Sequence, residues 1–329
     1  MSIKNLCVVA TMVVSLMVVS LWPLQGLTQS TFPSKPLRIV TVLPAGNDGY
    51  IRAVATKLSD QLGQPVVVDN RPGAGGVTAA QSVSTAAPDG HALMIIASAF
   101  LIAKAVNPKL AYEPLEDFAA VAKIYGGSSS MVLVRPESPA KTLEQLLAQA
   151  RATPEKFSYG VGGIGGQPHL SAAALLAISG IKALHVPFKT QNDVALALLR
   201  GDVDFTILAT TTSLPLVQTG KFRVLAVTSG TRFKGFPDVP TVHEIIKNDL
   251  LIHETWAGLA APAKTPGDLV RRLHAETSKA LVDTNVRKAL AAGGNEPTLD
   301  ESVDQFAAFL RRENDKWREI VKLTGVKAE

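Results

Sequence analysis

A chain of 329 residues, 47% hydrophobic and 19% charged, can bury more than one small core, which excludes a disordered or fibrous protein. Its formal charge of +5 comes from lysines and arginines scattered singly, with no basic run interleaved with aromatics. That excludes a nucleic-acid groove and leaves a solvated surface that weakly favours anions. The one cysteine, Cys7, excludes disulfides, thiolate metal sites and a cysteine nucleophile from all that follows it.

Cys7 lies in the first recognisable segment. One cation, Lys4, precedes an apolar run of about 16 residues from Leu6 to Leu21, with small residues at Gly26, Thr28 and Ser30. The run is short for a membrane span and suits the core of a signal peptide over residues 1–30, so export is expected. No second apolar run of that length follows.

From Pro33 onward, strand, loop and helix alternate. LRIVTVL (37–43) reads as a buried strand ended by Pro44-Ala45-Gly46. Ile51, Val54, Ala55, Leu58 and Leu62 share one face of a helix over about 48–62, stopped by Gly63. VVVDN is the next strand, followed by the turn NRPGAGG and a small-residue helix over 77–86. Pro88-Asp89-Gly90 turns the chain into the strand HALMIIAS. Later come MVLVRP, the helix KTLEQLLAQARA, the strand FSYGV (157–161), the helix PHLSAAALLAIS, the strand ALHVPF, the helix DVALALLR, the strand VDFTIL, the short helix SLPLVQTG and the strand RVLAVTS. A long helical region is expected from about Pro266 to Val321. Such alternation predicts an α/β fold with two parallel-rich sheets. The expected boundary lies in YGGSSS (125–130), with a return near His253–Ala261. This gives a discontinuous first lobe, 31–130 plus 255–329, and a second lobe, 131–254.

The loop YGVGGIGG contains G-x-G-x-x-G from Gly160 through Gly162 to Gly165, after a strand and before a helix. A dinucleotide site needs an acid at the end of the next strand, and that region reads HVPFKT. There is no phosphate-binding G-x-x-x-x-G-K-[ST] and no G-x-S-x-G; His243-Glu244 and His253-Glu254 lack the second histidine of H-E-x-x-H. No cofactor and no metal are expected. The glycines instead suit a loop whose backbone N–H groups approach an anion at a helix N-terminus. LPAGNDG (43–49) is a second loop of this kind, and the two predict a grip for a carboxylate.

Several stretches resemble the Bug family of periplasmic solute receptors of tripartite tricarboxylate transporters. They are PSKPLRIV (33–40), LGQPVVVDNRPGAGG (62–76), APDGHALMI (87–95), YEPLEDFAAVAKI (112–124), YGVGGIGGQPHL (159–170), HVPFK (185–189), GKFRVLAVTS (220–229) and FPDVPTVHE (236–244), in order along the chain. The resemblance implies a two-lobed periplasmic-binding-protein (Venus-flytrap, type II-like) fold. It also implies a monomeric, non-catalytic receptor that delivers a small carboxylate to membrane permease subunits. It places ligand contacts at Pro44, Ala45, Gly46, Asn47 and Asp48, at Ser98 and Ala99, at Gly162, Gly163, Ile164, Gly165, Gly166 and Gln167, and at Leu208, Thr210 and Thr211. His169 and His185 also match family positions, where capping and packing serve as well as ligand contact. Arg71 reads as structural. This chain departs from the family pattern at Asn47, Tyr50, Ile164 and Leu208, which makes the expected pocket less acidic and less polar. A ligand with one carboxylate and an apolar or aromatic body follows. Two other outputs stay open: presentation of ligand to a membrane sensor, or an exported enzyme using His169 with Asp48.

Overall fold

The computed structural model describes residues 32–73, 76–154, 156–299 and 301–327. By internal contacts the chain divides into Met1–Ser34 and Lys35–Glu329, and all the elements below belong to the second unit. The expected signal segment, 1–30, lies outside the described residues.

The first sheet begins with β1 (Leu37–Thr41), followed by α1 (Gly49–Leu62), β2 (Val66–Asn70), α2 (Val77–Ser84), β3 (Ala92–Ala97) and α3 (Ser98–Val106). Ile51, Val54, Ala55 and Leu58 of α1 are buried, as the helical period requires, and Gly63 ends the helix in the left-handed region at φ 66°. β1 lies between β2 and β3, parallel to both. β2 is the sheet edge, which accounts for Val67 being 54% exposed in an otherwise apolar strand.

β4 (Phe118–Val134) then runs out of the first sheet and into the second. The second sheet is built from α4 (Leu143–Ala152), β5 (Ser158–Gly162), α5 (Gln167–Ile178), β6 (Leu184–Phe188), α6 (Gln191–Arg200), β7 (Phe205–Ala209), α7 (Thr210–Gln218) and β8 (Arg223–Val227). β6 is its edge, the one place where Pro187 costs no ladder hydrogen bond. After α8 (Val242–Ile246) the chain returns through β9 (Glu254–Pro262) and closes with α9 (Gly267–Leu281), α10 (Thr284–Ala292), the short β10 (Glu296–Pro297) and α11 (Val303–Thr324).

The strand path is β2-β1-β3-β9-β4-β7-β5-β6, with β8 and β10 also pairing β4. Parallel pairing is confined to the outer strands of each sheet, β2-β1-β3 and β7-β5-β6. The expectation of parallel-rich sheets is corrected at the centre, where β3-β9-β4-β7 pair antiparallel. β4 and β9 carry the chain between the sheets rather than closing βαβ units, so they are free of the crossover rule. The expected helical region 266–321 is three helices, because Asp283 caps a fresh start for α10 and Ser302 caps α11. No described helix is long and apolar enough to cross a membrane.

Candidate functional site

The strand registers bring four loops to one place. Ala97, at the end of β3, pairs with Ala257 of β9, and Ala257 pairs with Tyr125 in the middle of β4. From the other side, Ala209 at the end of β7 pairs with Ser130 of β4. β1 runs parallel to β3 and β5 parallel to β7. The carboxyl ends of β1, β3, β5 and β7 therefore converge on Tyr125–Ser130, and α1, α3, α5 and α7 start there with their N-termini turned inward. Ligands bind α/β sheets at such carboxyl ends.

In the first loop Pro44, Ala45, Gly46 and Asn47 are exposed, whereas Asp48 is 1% exposed. Its Oδ1 accepts from the Gly46 N–H at 3.2 Å; its Oδ2 accepts from Asn70 Nδ2 at 2.9 Å and pairs with Arg52 at 2.8 Å. Burial alone would raise its pKa, but the bonds from Asn70, Arg52 and Gly46 outweigh it and hold the carboxyl below the ordinary value. Asp48, expected at the ligand, is an internal tie that shapes the loop. Asn70 completes that tie by donating to Leu43 O at 2.9 Å. The sequence places Asn70 in the turn NRPGAGG but carries no signal of its bond to Asp48, 22 residues away. Tyr50 meets Tyr125 edge-on at 5.4 Å and donates its hydroxyl to it. Burial, then the Tyr125 neighbour, pushes the Tyr50 pKa well up.

At the second entry Ser98 is buried and Ala99 exposed. Ser98 Oγ donates to Gln167 Oε1 at 2.7 Å, joining the β3–α3 and β5–α5 loops. The other end of that amide, Gln167 Nε2, is buried and has no hydrogen-bond partner. An orphaned donor of this kind costs about 1–3 kcal/mol until an acceptor reaches it.

In the glycine loop, Gly163 and Gly165 take φ of +91° and +72°. Gly162, Gly163, Ile164, Gly165, Gly166 and Gln167 are all half-buried. His169 Nδ1 accepts from the Gly165 N–H at 3.0 Å, so its remaining proton sits on Nε2. Its ring stacks on His185 at 4.4 Å. Burial, then the neighbouring His185, lowers the His169 pKa to about 4. His169 is a neutral loop cap. With Asp48 tied into the first loop, each member of the pair that an exported enzyme would need is committed to its own turn.

On the fourth entry Leu208 is fully buried in the core of the second sheet with Met131 and Val227. Both faces of β7 are covered, and Leu208 packs into this core instead of lining the junction as expected. Thr210 Oγ1 donates to Ser129 O at 2.6 Å, fixing the start of α7 to β4. Thr211 is exposed. A cavity of about 230 Å³ adjoins this start, lined among others by Ser129, Thr210 and Ser229.

The helix starts themselves differ by position. α4, α6, α8, α10 and α11 are capped by the side chains of Thr142, Thr190, Thr241, Asp283 and Ser302. α1, α3, α5 and α7 have no side-chain cap bond and no acid in the first turn. Four sets of orphan N–H groups therefore face one junction with their positive dipole ends, which is chemistry for an anion. Among the described residues no cluster of side chains fits a metal ion.

The family model described as the tripartite tricarboxylate transporter family receptor matches residues 50–326. The chain belongs to that family. It is 31% identical over 302 residues to protein BugT of Bordetella pertussis, covering 90% of this chain and 91% of BugT. A TctC solute-binding protein from Polaromonas superposes with TM-score 0.80 at 31% identity, covering 89% of this chain and 99% of that one. Two Rhodopseudomonas palustris structures are similar over their full length or nearly so. MatC with bound malate has TM-score 0.70 at 29% identity, covering 88% of this chain and 100% of its own. A second protein, with adipate, has TM-score 0.71 at 27% identity, covering 90% and 99%. The family is one of solute-binding receptors, and the two-sheet α/β architecture is theirs.

Proposed function

We propose that this family receptor captures a small carboxylate at the junction of the two sheets. We further propose that it does so in the periplasm after export, and passes the ligand unchanged to the membrane permease of a tripartite transporter. The observation that carries the reading is the convergence of four helix starts with no side-chain cap bond and no first-turn acid beside the unpartnered Gln167 amide, the Asp48 carboxylate at the α1 N-cap being engaged by Asn70, Arg52 and Gly46. One helix start contributes roughly 0.3–1 kcal/mol to an anion, whereas a micromolar ligand needs about 8 kcal/mol, so several starts must act together. The first sheet and the second act as lobes divided near 130 and 254.

The Tyr50–Tyr125 pair and the half-buried Ile164 support a ligand with one carboxylate on an apolar or aromatic body. The malate and adipate held by the relatives supply the competing dicarboxylates. A thermal-shift panel of benzoate, phenylacetate, adipate, malate and citrate separates them. Stabilisation by the aromatic monocarboxylates supports the reading, and stabilisation by di- and tricarboxylates alone overturns it. Mass spectrometry of small molecules released on denaturation identifies the natural ligand.

A further inference from the structure

A second cavity, of about 660 Å³, lies in the first sheet's outer layer between the start of β4, α9 and α11. It does not share a lining residue with the junction. Ala120 in its lining and Tyr125 at the near side of the junction are five residues apart on β4, or at most roughly 16 Å at about 3.3 Å per residue.

Its floor is apolar: Phe118, Val270 and Leu310 are buried and line it. Thr265 lines it as well, is 7% exposed, and its Oγ1 has no hydrogen-bond partner. A hydroxyl held out of water without a partner is unfavourable unless something arrives to bond it. Arg271 and Arg311 stand on the rim, both exposed, and neither forms an ion pair among the described residues. Gly267 leaves room for the first: a Cβ there would stand 3.3 Å from Arg271 Nη1. His274 also lines the cavity, its Nδ1 engaged with Val121 O at 2.9 Å. Asp304 is the one acid of the lining, so two arginines against one carboxylate leave a rim charge of +1. The volume falls in the range of small-molecule sites, roughly 300–1,000 Å³.

We propose that this groove is a second ligand site, separate from the junction, that takes a single-headed carboxylate with an aliphatic chain. Arg271, Arg311 and the Thr265 hydroxyl hold the head, and the chain lies over Phe118, Val270 and Leu310. The rim charge selects a monoanion over a dianion, and the apolar floor of Phe118, Val270 and Leu310 selects an aliphatic body over a polar one.

Isothermal titration of the purified protein with sodium octanoate tests this. Octanoate is expected to bind. The double variant R271A/R311A should weaken it by roughly tenfold or more, the scale of losing charge-assisted hydrogen bonds. Thr265→Val, which keeps the volume and removes the hydroxyl, should weaken it about threefold, as one neutral hydrogen bond does. Ala307→Phe fills the groove without touching a charge and should remove the groove's share of the binding. Because octanoate also suits the junction as proposed above, each groove variant is combined with Gln167→Leu, and one octanoate site should survive Gln167→Leu and be lost when Ala307→Phe is added. Octylammonium should not compete. The proposal is overturned if octanoate fails to bind at millimolar concentration. It is equally overturned if Gln167→Leu alone removes all octanoate binding. Because the junction variant is read separately, failure of the groove and failure of the receptor reading are distinct results.

Discussion

A Cβ at Gly162 would stand 2.5 Å from the Gln191 amide nitrogen and 2.6 Å from the Thr190 carbonyl carbon. Backbone atoms cannot swing aside as a side-chain tip can, so Gly162→Ala must push the glycine loop off the head of α6. The expected loss is about 1–3 kcal/mol, the scale of overpacking, read as a lower urea midpoint at unchanged m-value. A variant as stable as the parent would show that the two turns part freely. Gly163, at φ +91° with no atom within 4 Å, is different: alanine there meets only backbone strain, about 1–2 kcal/mol. His169 supplies a pH dependence in the same loop. The unfolded chain takes up the imidazole proton near 6.5, the folded protein only near 4. Between those values the unfolded state binds more protons, so stability falls as pH falls through that window and is complete above it. The loss is at most about 3 kcal/mol. His253, buried and lowered to about 3 by desolvation and then by Lys316, acts in the same sense. Melting temperatures from pH 7 to 4 should decline less steeply in His169→Gln; parallel declines would show that the ring does not sense the proton.

Of the described α-helices, five are closed at the start by their own side chains, α1, α3, α5 and α7 open on the junction, and α2 and α9 are uncapped elsewhere. Thr190, with Asp193, forms a full capping box on α6. Thr190→Ala should cost about 1 kcal/mol of stability and leave ligand affinity as it was. A comparable loss of affinity would mean that α6 shares the site. The same distinction sets what the sequence could disclose. β1, α1 and their glycine stop follow from period and punctuation, since one face of each must be buried. α3 reads as SAFLIAKAV, apolar on nearly every side, and its burial of Phe100, Leu101 and Ile102 leaves no period to detect. The glycines of YGGSSS, where the sequence places a lobe boundary, do not break the strand: β4 keeps its ladder to β9 there, with Ser128 opposite Thr255 and Ser129 opposite Glu254. The strand absorbs the glycines as register shifts instead of ending. At the site, the loops were legible because glycine before a helix start is a local signal. The inward turn of Asp48 was not, because it depends on Asn70 and Arg52 across a fold contact. The burial of Leu208 was not legible for a related reason: it depends on Met131 and Val227, which close over that face of β7 from distant strands.

The two sheets share one buried core, which runs from Val40, Met94 and Trp256 of the first to Val132, Leu170 and Phe205 of the second. β4 passes between them, with Gly127 at φ +81° in its irregular stretch. The return path is held where the His253 N–H donates to Thr228 O at 2.7 Å and Thr228 Oγ1 donates to His253 O at 2.7 Å. α11 lies across the join, in contact with α3 on one side and α5 on the other. Trp256 and Trp317 donate to its Glu313 at 3.3 and 3.2 Å, and Lys316 reaches Ile252 O at 2.8 Å. These bonds brace the join itself and leave the mouths of the loops free. Across the mouth, polar links among the described residues include Ser98–Gln167 and the Lys234–Glu296 pair at 3.0 Å. The latter is 84% and 73% exposed at its two ends, so it contributes at most about 1 kcal/mol and is weakened further by salt. A ligand bonded by helix starts from both sheets would add to these links. Hinge closure on binding is therefore expected. Small-angle scattering should give a smaller radius of gyration with saturating ligand than without, and raising salt should change the ligand-free profile little. Equal radii with and without ligand would mean that the junction is already closed, and would make the uncapped helix starts a preformed site in place of a pair of jaws.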